Sequence, residues 1–126
     1  MSIARTTTRI GYFAAAWALL SLAACDVGET SIRLSGGYRL VQKREYQALY
    51  VPTGKIDRLL QDRDQDGRAD AVILYYSNGK PRLGEFDTDG DGRVDRWEHF
   101  FTDGKLEKVD LDTNRDGKID RTDYAQ

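Results

Sequence analysis

The stretch DTDGDGRVDRWEHFFTDGKLEKVDLD, residues 87–112, decides how this chain folds. It opens with acidic side chains at its first, third, fifth and ninth positions (Asp87, Asp89, Asp91, Asp95), and Gly92 stands sixth. Carboxylates alternating along a bent backbone converge on one point, and a glycine at the bend permits the sharp turn. That is the donor pattern of an oxygen-coordinated cation loop. The same pattern starts again at Asp112, and only the short segment 99–111 separates the two twelve-residue loops. In its middle stands Asp103-Gly104, a strong hairpin signal. Two helices do not fit there, because a helix rises only ~1.5 Å per residue and typically runs ~10–14 residues. Two short strands do fit.

Outward from this stretch the pattern is periodic. Loops begin at Asp62, Asp87 and Asp112, and Gly54-Lys55, Gly79-Lys80 and Gly104-Lys105 keep the same 25-residue interval. Glu45 falls in the slot of Asp70, Asp95 and Asp120, so the first unit has lost its loop. The runs EYQALYV, AVILYY and RWEHFF, rich in aromatic and β-branched residues, read as outgoing strands. More polar returning strands start at Lys55, Lys80 and Lys105, and Asn78-Gly79 and Asp103-Gly104 suit type I′ turns. The expected fold is mainly β: an antiparallel meander of about six strands in 25-residue hairpin repeats. The units are about 37–61, 62–86, 87–111 and 112–126, and the last, with no turn after it, leaves room for a short C-terminal helix. One strand face carries Val72, Leu74, Tyr76, Trp97, His99 and Phe101, and the other Ile73, Tyr75 and Phe100. Both are partly apolar, so alternation does not select the buried one.

The expected metal ligands follow loop position. Loop one offers Asp62, Asp64, Asp66, the backbone oxygen of Arg68, and Asp70. Loop two offers Asp87, Asp89, Asp91, the backbone oxygen of Arg93, and Asp95. Loop three offers Asp112, Asn114, Asp116, the backbone oxygen of Lys118, and Asp120. Position twelve runs Ile73, Glu98, Asp123, so Glu98 and Asp123 are optional further ligands. All donors are oxygen, which favours a hard cation over zinc or copper, and Ca²⁺ over the more compact Mg²⁺; up to three Ca²⁺ ions are expected. Lone His99 reads as a surface or packing residue, and Trp97 with the Tyr/Phe pairs as hairpin packing or, less simply, as a sugar-binding strip. No Ser/His/Asp or Cys/His set is present to suggest an enzyme, and the chain is modestly acidic with no basic run that would suggest nucleic acid.

The N-terminus is organised differently. Arg5 and Arg9 precede an uncharged run, 10–24, that is too short to span a bilayer comfortably. It ends in Leu22-Ala23-Ala24-Cys25, and Cys25 is the only cysteine, so no intramolecular disulfide forms. Without residues 1–24, 17 basic and 21 acidic residues remain. Residues 26–37, DVGETSIRLSGG, read as a polar tether, and 38–126 as the repeat domain.

Leu22-Ala23-Ala24-Cys25 resembles the lipobox of bacterial lipoproteins, which implies cleavage before Cys25, lipidation of its thiol, and a lipid-anchored place in the bacterial cell envelope. That place is the periplasmic face of the inner or outer membrane, or the cell surface. Asp26 resembles an enterobacterial inner-membrane retention signal. DRDQDGRAD and DTDGDGRVD resemble calcium loops of integrin-type propeller and thrombospondin type 3 repeats, while DTNRDGKIDRTD is similar to the EF-hand and dockerin loop. ILYYSNGK and HFFTDGK resemble short MORN-like hairpins. The resemblances imply a calcium-binding envelope protein with a structural or adhesive role and an unspecified protein or glycan partner. The alternative is an EF-hand or dockerin-like interaction module, which requires helices.

Overall fold

Strand propensity, tight turns and acidic loops alternate along the chain, and in space they produce one antiparallel meander. The structure is a computed structural model that describes residues 29–126; the segment read as a leader, and Cys25, read as a lipobox cysteine, lie outside the described residues. Among the described residues nine strands pair strictly in chain order in a single sheet. They are β1 (Thr30–Arg33), β2 (Arg39–Lys43), β3 (Tyr46–Tyr50), β4 (Ile56–Gln61), β5 (Ala71–Tyr75), β6 (Pro81–Phe86), β7 (Arg96–Phe100), β8 (Leu106–Leu111) and β9 (Arg121–Tyr124). No described helix is long and apolar enough to cross a membrane.

The mainly-β reading holds, with three strands more than the six expected. The six are β3 to β8. Two of the others, β1 and β2, take up residues read as tether and domain start: Thr30–Arg33 pairs with Arg39–Lys43 around the short 3-10 turn Ser35–Gly37. At the other end Arg121–Tyr124 continues the ladder on β8 in place of a C-terminal helix. An edge strand needs only one neighbour, so a few polar residues suffice once a ladder is already in place.

The two ends of the sheet are built differently. At one end, β3–β4, β5–β6 and β7–β8 are joined by tight turns. Tyr76 N–H donates to Lys80 O (2.8 Å) and Gly79 N–H to Tyr76 O (2.9 Å), and the units on either side repeat the pattern at Val51 and Phe101. Gly54, Gly79 and Gly104 take φ of 83°, 82° and 87°, whereas Asn78 and Asp103 are not in the positive-φ region. The type I′ expectation is therefore corrected to a turn with one left-handed glycine and a bulge. Asn78 and Asp103 serve differently: each side-chain oxygen accepts the N–H two residues on, at 2.9 Å. At the other end, β2–β3 closes with the two-residue turn Arg44-Glu45, while nine residues (62–70, 87–95 and 112–120) make each later connection.

These nine-residue loops decide which face is buried. Ala69 and Val94, eighth in their loops, pack on Leu60 together with Val72 and Trp97. The loops thus cover one end of the face that carries Val72 and Trp97, called here the loop-side face. The far face carries Ala48, Leu59, Ile73, Gly84, Glu98 and Val109 in one cross-strand row. Gly84 is required there: a Cβ would come within 2.7 Å of the Phe86 ring.

Candidate metal centre

Each loop is a hydrogen-bonded scaffold of its own aspartates. In loop one, Asp62 accepts the N–H of Asp66 (3.2 Å) and of Gly67 (3.0 Å). In loop two, Asp87 accepts Gly90 N–H (2.7 Å) and Gly92 N–H (2.6 Å); in loop three, Asp112 accepts Asp116 N–H (3.2 Å) and Gly117 N–H (2.7 Å). The third-position oxygens of Asp64, Asp89 and Asn114 each accept the fifth-position N–H at 3.0–3.1 Å. Those of Asp66, Asp91 and Asp116 accept the seventh-position N–H at 2.8–2.9 Å. The ninth-position carboxylates reach back to the second residue, as in Arg63 N–H to Asp70 (2.6 Å) and Thr88 N–H to Asp95 (3.0 Å). Asp120 accepts from the Thr113 N–H and hydroxyl and from Asn114 N–H.

Two backbone bends in each loop make this possible. The fourth residue of every loop is left-handed (Gln65 φ 60°, Gly90 78°, Arg115 62°), and so is the sixth (Gly67 89°, Gly92 85°, Gly117 85°). Glycine is favoured at the sixth position, where such a φ is costly for a side-chain-bearing residue.

Two three-carboxylate clusters result: Asp62, Asp64 and Asp70, and Asp87, Asp89 and Asp95, each with oxygens within 4.8 Å of one another. Such a grouping can hold a metal ion. Asp66 and Asp91, expected as ligands, are not members of these triads. Loop three joins Asp112 and Asp120 with a neutral Asn114 in the third position, so one carboxylate fewer is present. Glu98 and Asp123 project from the far face, Glu98 beside Arg96 and Asp123 beside Arg121. The first-position aspartates are buried, with Asp62 2%, Asp87 8% and Asp112 5% exposed. Burial pushes the Asp62 and Asp87 carboxyls up; N–H groups of Gly67 and Gly92 oppose the rise, and nearby Asp66 and Asp89 add to it. Three carboxylates this close repel by about 1–3 kcal/mol per pair, less where Asp64 and Asp89 meet solvent. A cation removes that repulsion.

The sites are linked to one another through the sheet. Asp87 N–H donates to Asp70 O (2.8 Å) and Asp112 N–H to Asp95 O (2.9 Å), so ninth and first positions of successive loops are ladder partners. Asp62 N–H donates in the same way to Glu45 O (2.8 Å), which places Glu45 in the ninth-position slot. Arg115 of loop three pairs with Asp89 of loop two at 2.9 Å.

A second acidic feature was not legible in the sequence. Asp110, 4% exposed, accepts from Lys108 Nζ (2.7 Å) and Thr122 Oγ1 (2.6 Å), and His99 Nε2 lies 2.9 Å away. Burial alone would raise its pKa, but these hydrogen bonds and the Lys108 and His99 charges outweigh it and hold the carboxyl below its ordinary value. The 25-residue repeat puts Leu60 and Glu85 in the same slot, so the position does not keep one residue type from unit to unit.

No family model matches this chain, and no curated protein matches it. Among solved structures, the accessory secretory protein 1, 2 and 3 assembly of Streptococcus pneumoniae is similar at 18% identity and a TM-score of 0.49, covering 85% of this chain and 19% of that one. TarM of S. aureus is similar at 12% identity and a TM-score of 0.47, covering 72% of this chain and 20% of that one. A GtfA/B complex gives 11% and 0.42, covering 81% and 25%. The chain thus spans about a fifth to a quarter of the length of these proteins.

Proposed function

We propose that this protein is a calcium-stabilised, lipid-anchored protein of the bacterial cell envelope with a structural or adhesive role. The observation that carries the reading is the pair of carboxylate triads, built alike in successive repeats from first-, third- and ninth-position aspartates. Oxygens within 4.8 Å of one another are close enough for a small inward movement of the loop to bring all three onto a single ion, and hard oxygen donors suit Ca²⁺. Asp112, Asn114 and Asp120 form the third and least charged site, expected to be the weakest. Backbone oxygens of Arg68, Arg93 and Lys118 and the fifth-position carboxylates complete the coordination. Lipidation of Cys25 supplies the anchor.

In this reading calcium is a structural element. It neutralises loop corners that would otherwise repel, and so fixes the ends of a sheet that buries little. At 100 times its Kd, Ca²⁺ adds ~2.7 kcal/mol per site. The dockerin-like alternative asks for helices beside the loops, whereas strands β4 to β9 flank all three. No catalytic role is assigned.

The test is a calcium titration of the mature protein followed by thermal melting and calorimetry. The melting temperature is expected to rise with Ca²⁺, with two strong sites and one weaker, and much less with equimolar Mg²⁺. An unchanged melting temperature across millimolar Ca²⁺ rejects the reading.

A further inference from the structure

The first two strands differ in charge from the rest of the molecule. Residues 30–44 hold four cations, Arg33, Arg39, Lys43 and Arg44, and no acid. Residues 29–61 carry six basic and three acidic side chains, against 11 and 17 in residues 62–126. Strand pairing sorts the cations onto one side. Arg33 is the cross-strand partner of Arg39, Arg39 of Tyr50, and Lys43 of Tyr46, so Arg33, Arg39 and Lys43 share the far face. Arg39 stacks on the Tyr50 ring at 4.5 Å. No described carboxylate pairs with Arg33, Lys43 or Arg44, and all three are exposed.

We propose that this β1–β2 edge, through Arg33, Arg39 and Lys43, docks on an anionic phospholipid surface. The inference rests on the lipid-anchor reading of Cys25. Four residues separate Cys25 from Thr30, so an extended link places β1 within about 17 Å of the anchored cysteine. A tether that short keeps β1 within reach of the headgroups. A basic patch held beside a lipid anchor is attracted to anionic headgroups, which sets how the anchored domain lies on the surface. The acidic loops do not oppose it. Strands lie about 4.8 Å apart, which sets loop one about 15 Å and loop three about 35 Å from β1, beyond the ~8 Å screening length at physiological salt. The far face therefore meets the bilayer along its β1–β2 margin, and the acidic loops lie progressively farther along the sheet from that contact.

Lysine acetylation of the full-length mature protein, reconstituted in vesicles and read by mass spectrometry, tests this. Lys43 is expected to label about fivefold more slowly on vesicles with roughly one-third phosphatidylglycerol than on phosphatidylcholine alone. Exposed Lys80 and Lys105, in the turns, are expected to label equally on both. R33Q/R39Q, with its sheet checked by circular dichroism, is expected to lose the protection. Equal Lys43 labelling on both vesicle types overturns the docking face, as does protection by DNA or an acidic protein where phosphatidylglycerol gives none. The same spectra read the mass of the Cys25 peptide. An acylated Cys25 without Lys43 protection rejects docking alone, and an unmodified Cys25 with protection on added vesicles rejects the anchor and keeps the face.

Discussion

The first hairpin, β2–β3, and the loop-bearing connections that follow solve the same geometric problem by opposite means. Both bring antiparallel strands together at the same end of the sheet. The first does so with Arg44-Glu45, two residues with Arg44 at φ 51°. The others use nine residues and gather carboxylates within 4.8 Å of one another in loops one and two. Glu45 still offers its carbonyl to Asp62 as Asp70 does to Asp87. Strand pairing therefore does not depend on the acidic loop. What the loop adds is a cover, Ala69 and Val94 over Leu60, and a charge problem that a bound cation would resolve.

Removing the cation is expected to have the largest effect, and to fall unevenly. Chelation of three filled sites costs at most about 8 kcal/mol at hundredfold-saturating Ca²⁺. Hydrogen exchange is expected to accelerate most at amides of residues 62–70 and 87–95, and least at β2–β3; uniform acceleration would erase the distinction between the two regions. The pH dependence of the metal-free form follows from Asp62 and Asp87. Their folded pKa values are raised above the ordinary value, so the stability linked to them is present at acid pH and lost as pH rises through the folded pKa. At these two groups the chelated protein should accordingly lose stability as pH rises from acid toward neutral, and Ca²⁺ should remove that loss.

A sharper version exchanges one solution for the other. Replacing residues 87–95 with Asn-Gly is expected to keep the β6–β7 ladder, since Phe86 and Arg96 are already cross-strand partners as Lys43 and Tyr46 are. Calcium stoichiometry should fall by one, and stability in Ca²⁺ by about 2–4 kcal/mol from the lost site and the exposed Leu60 and Trp97 surface. Retained β circular dichroism together with one fewer site supports the division of labour; collapse of the whole sheet refutes it. Within an intact loop, Gly67→Ala forces φ 89° on a side-chain-bearing residue and should cost about 1–2 kcal/mol.

The same comparison explains what the sequence disclosed. The 25-residue interval locates six strands, three turns and three loops because each unit repeats glycine and aspartate landmarks. Strands β1 and β2 carry no such landmark; Gly36-Gly37 and a polar composition look like tether until a neighbouring ladder is present. Strand β9, RTDY, has too little apolar content to declare itself. The Asn78-Gly79 dipeptide suits two turn types, and only the backbone angle separates them. The buried face was illegible because Leu60 and Leu59, or Val72 and Ile73, are equally apolar; the loops folding over one side break the tie.

Two slots in the buried cross-strand row sharpen the contrast at smaller scale. Asp110 stands where unit one has Leu60, and its lowered pKa means its contribution is present at neutral pH and lost as pH falls through the folded value. Asp110→Asn should cost about 1–2 kcal/mol at pH 7 and flatten the acid limb of the calcium-loaded stability curve.

Gln47 is the mirror case: fully buried in unit one where later units place Val72 and Trp97, it donates to Gln42 Oε1 at 3.3 Å, and its own Oε1 has no described partner. An unsatisfied buried amide oxygen costs stability that an apolar side chain does not. Gln47→Val should therefore stabilise the sheet by about 1 kcal/mol without altering calcium affinity. A destabilised variant in urea unfolding would mean that Gln47, in the unit that lacks a loop, is held by a partner that compensates for the missing cover.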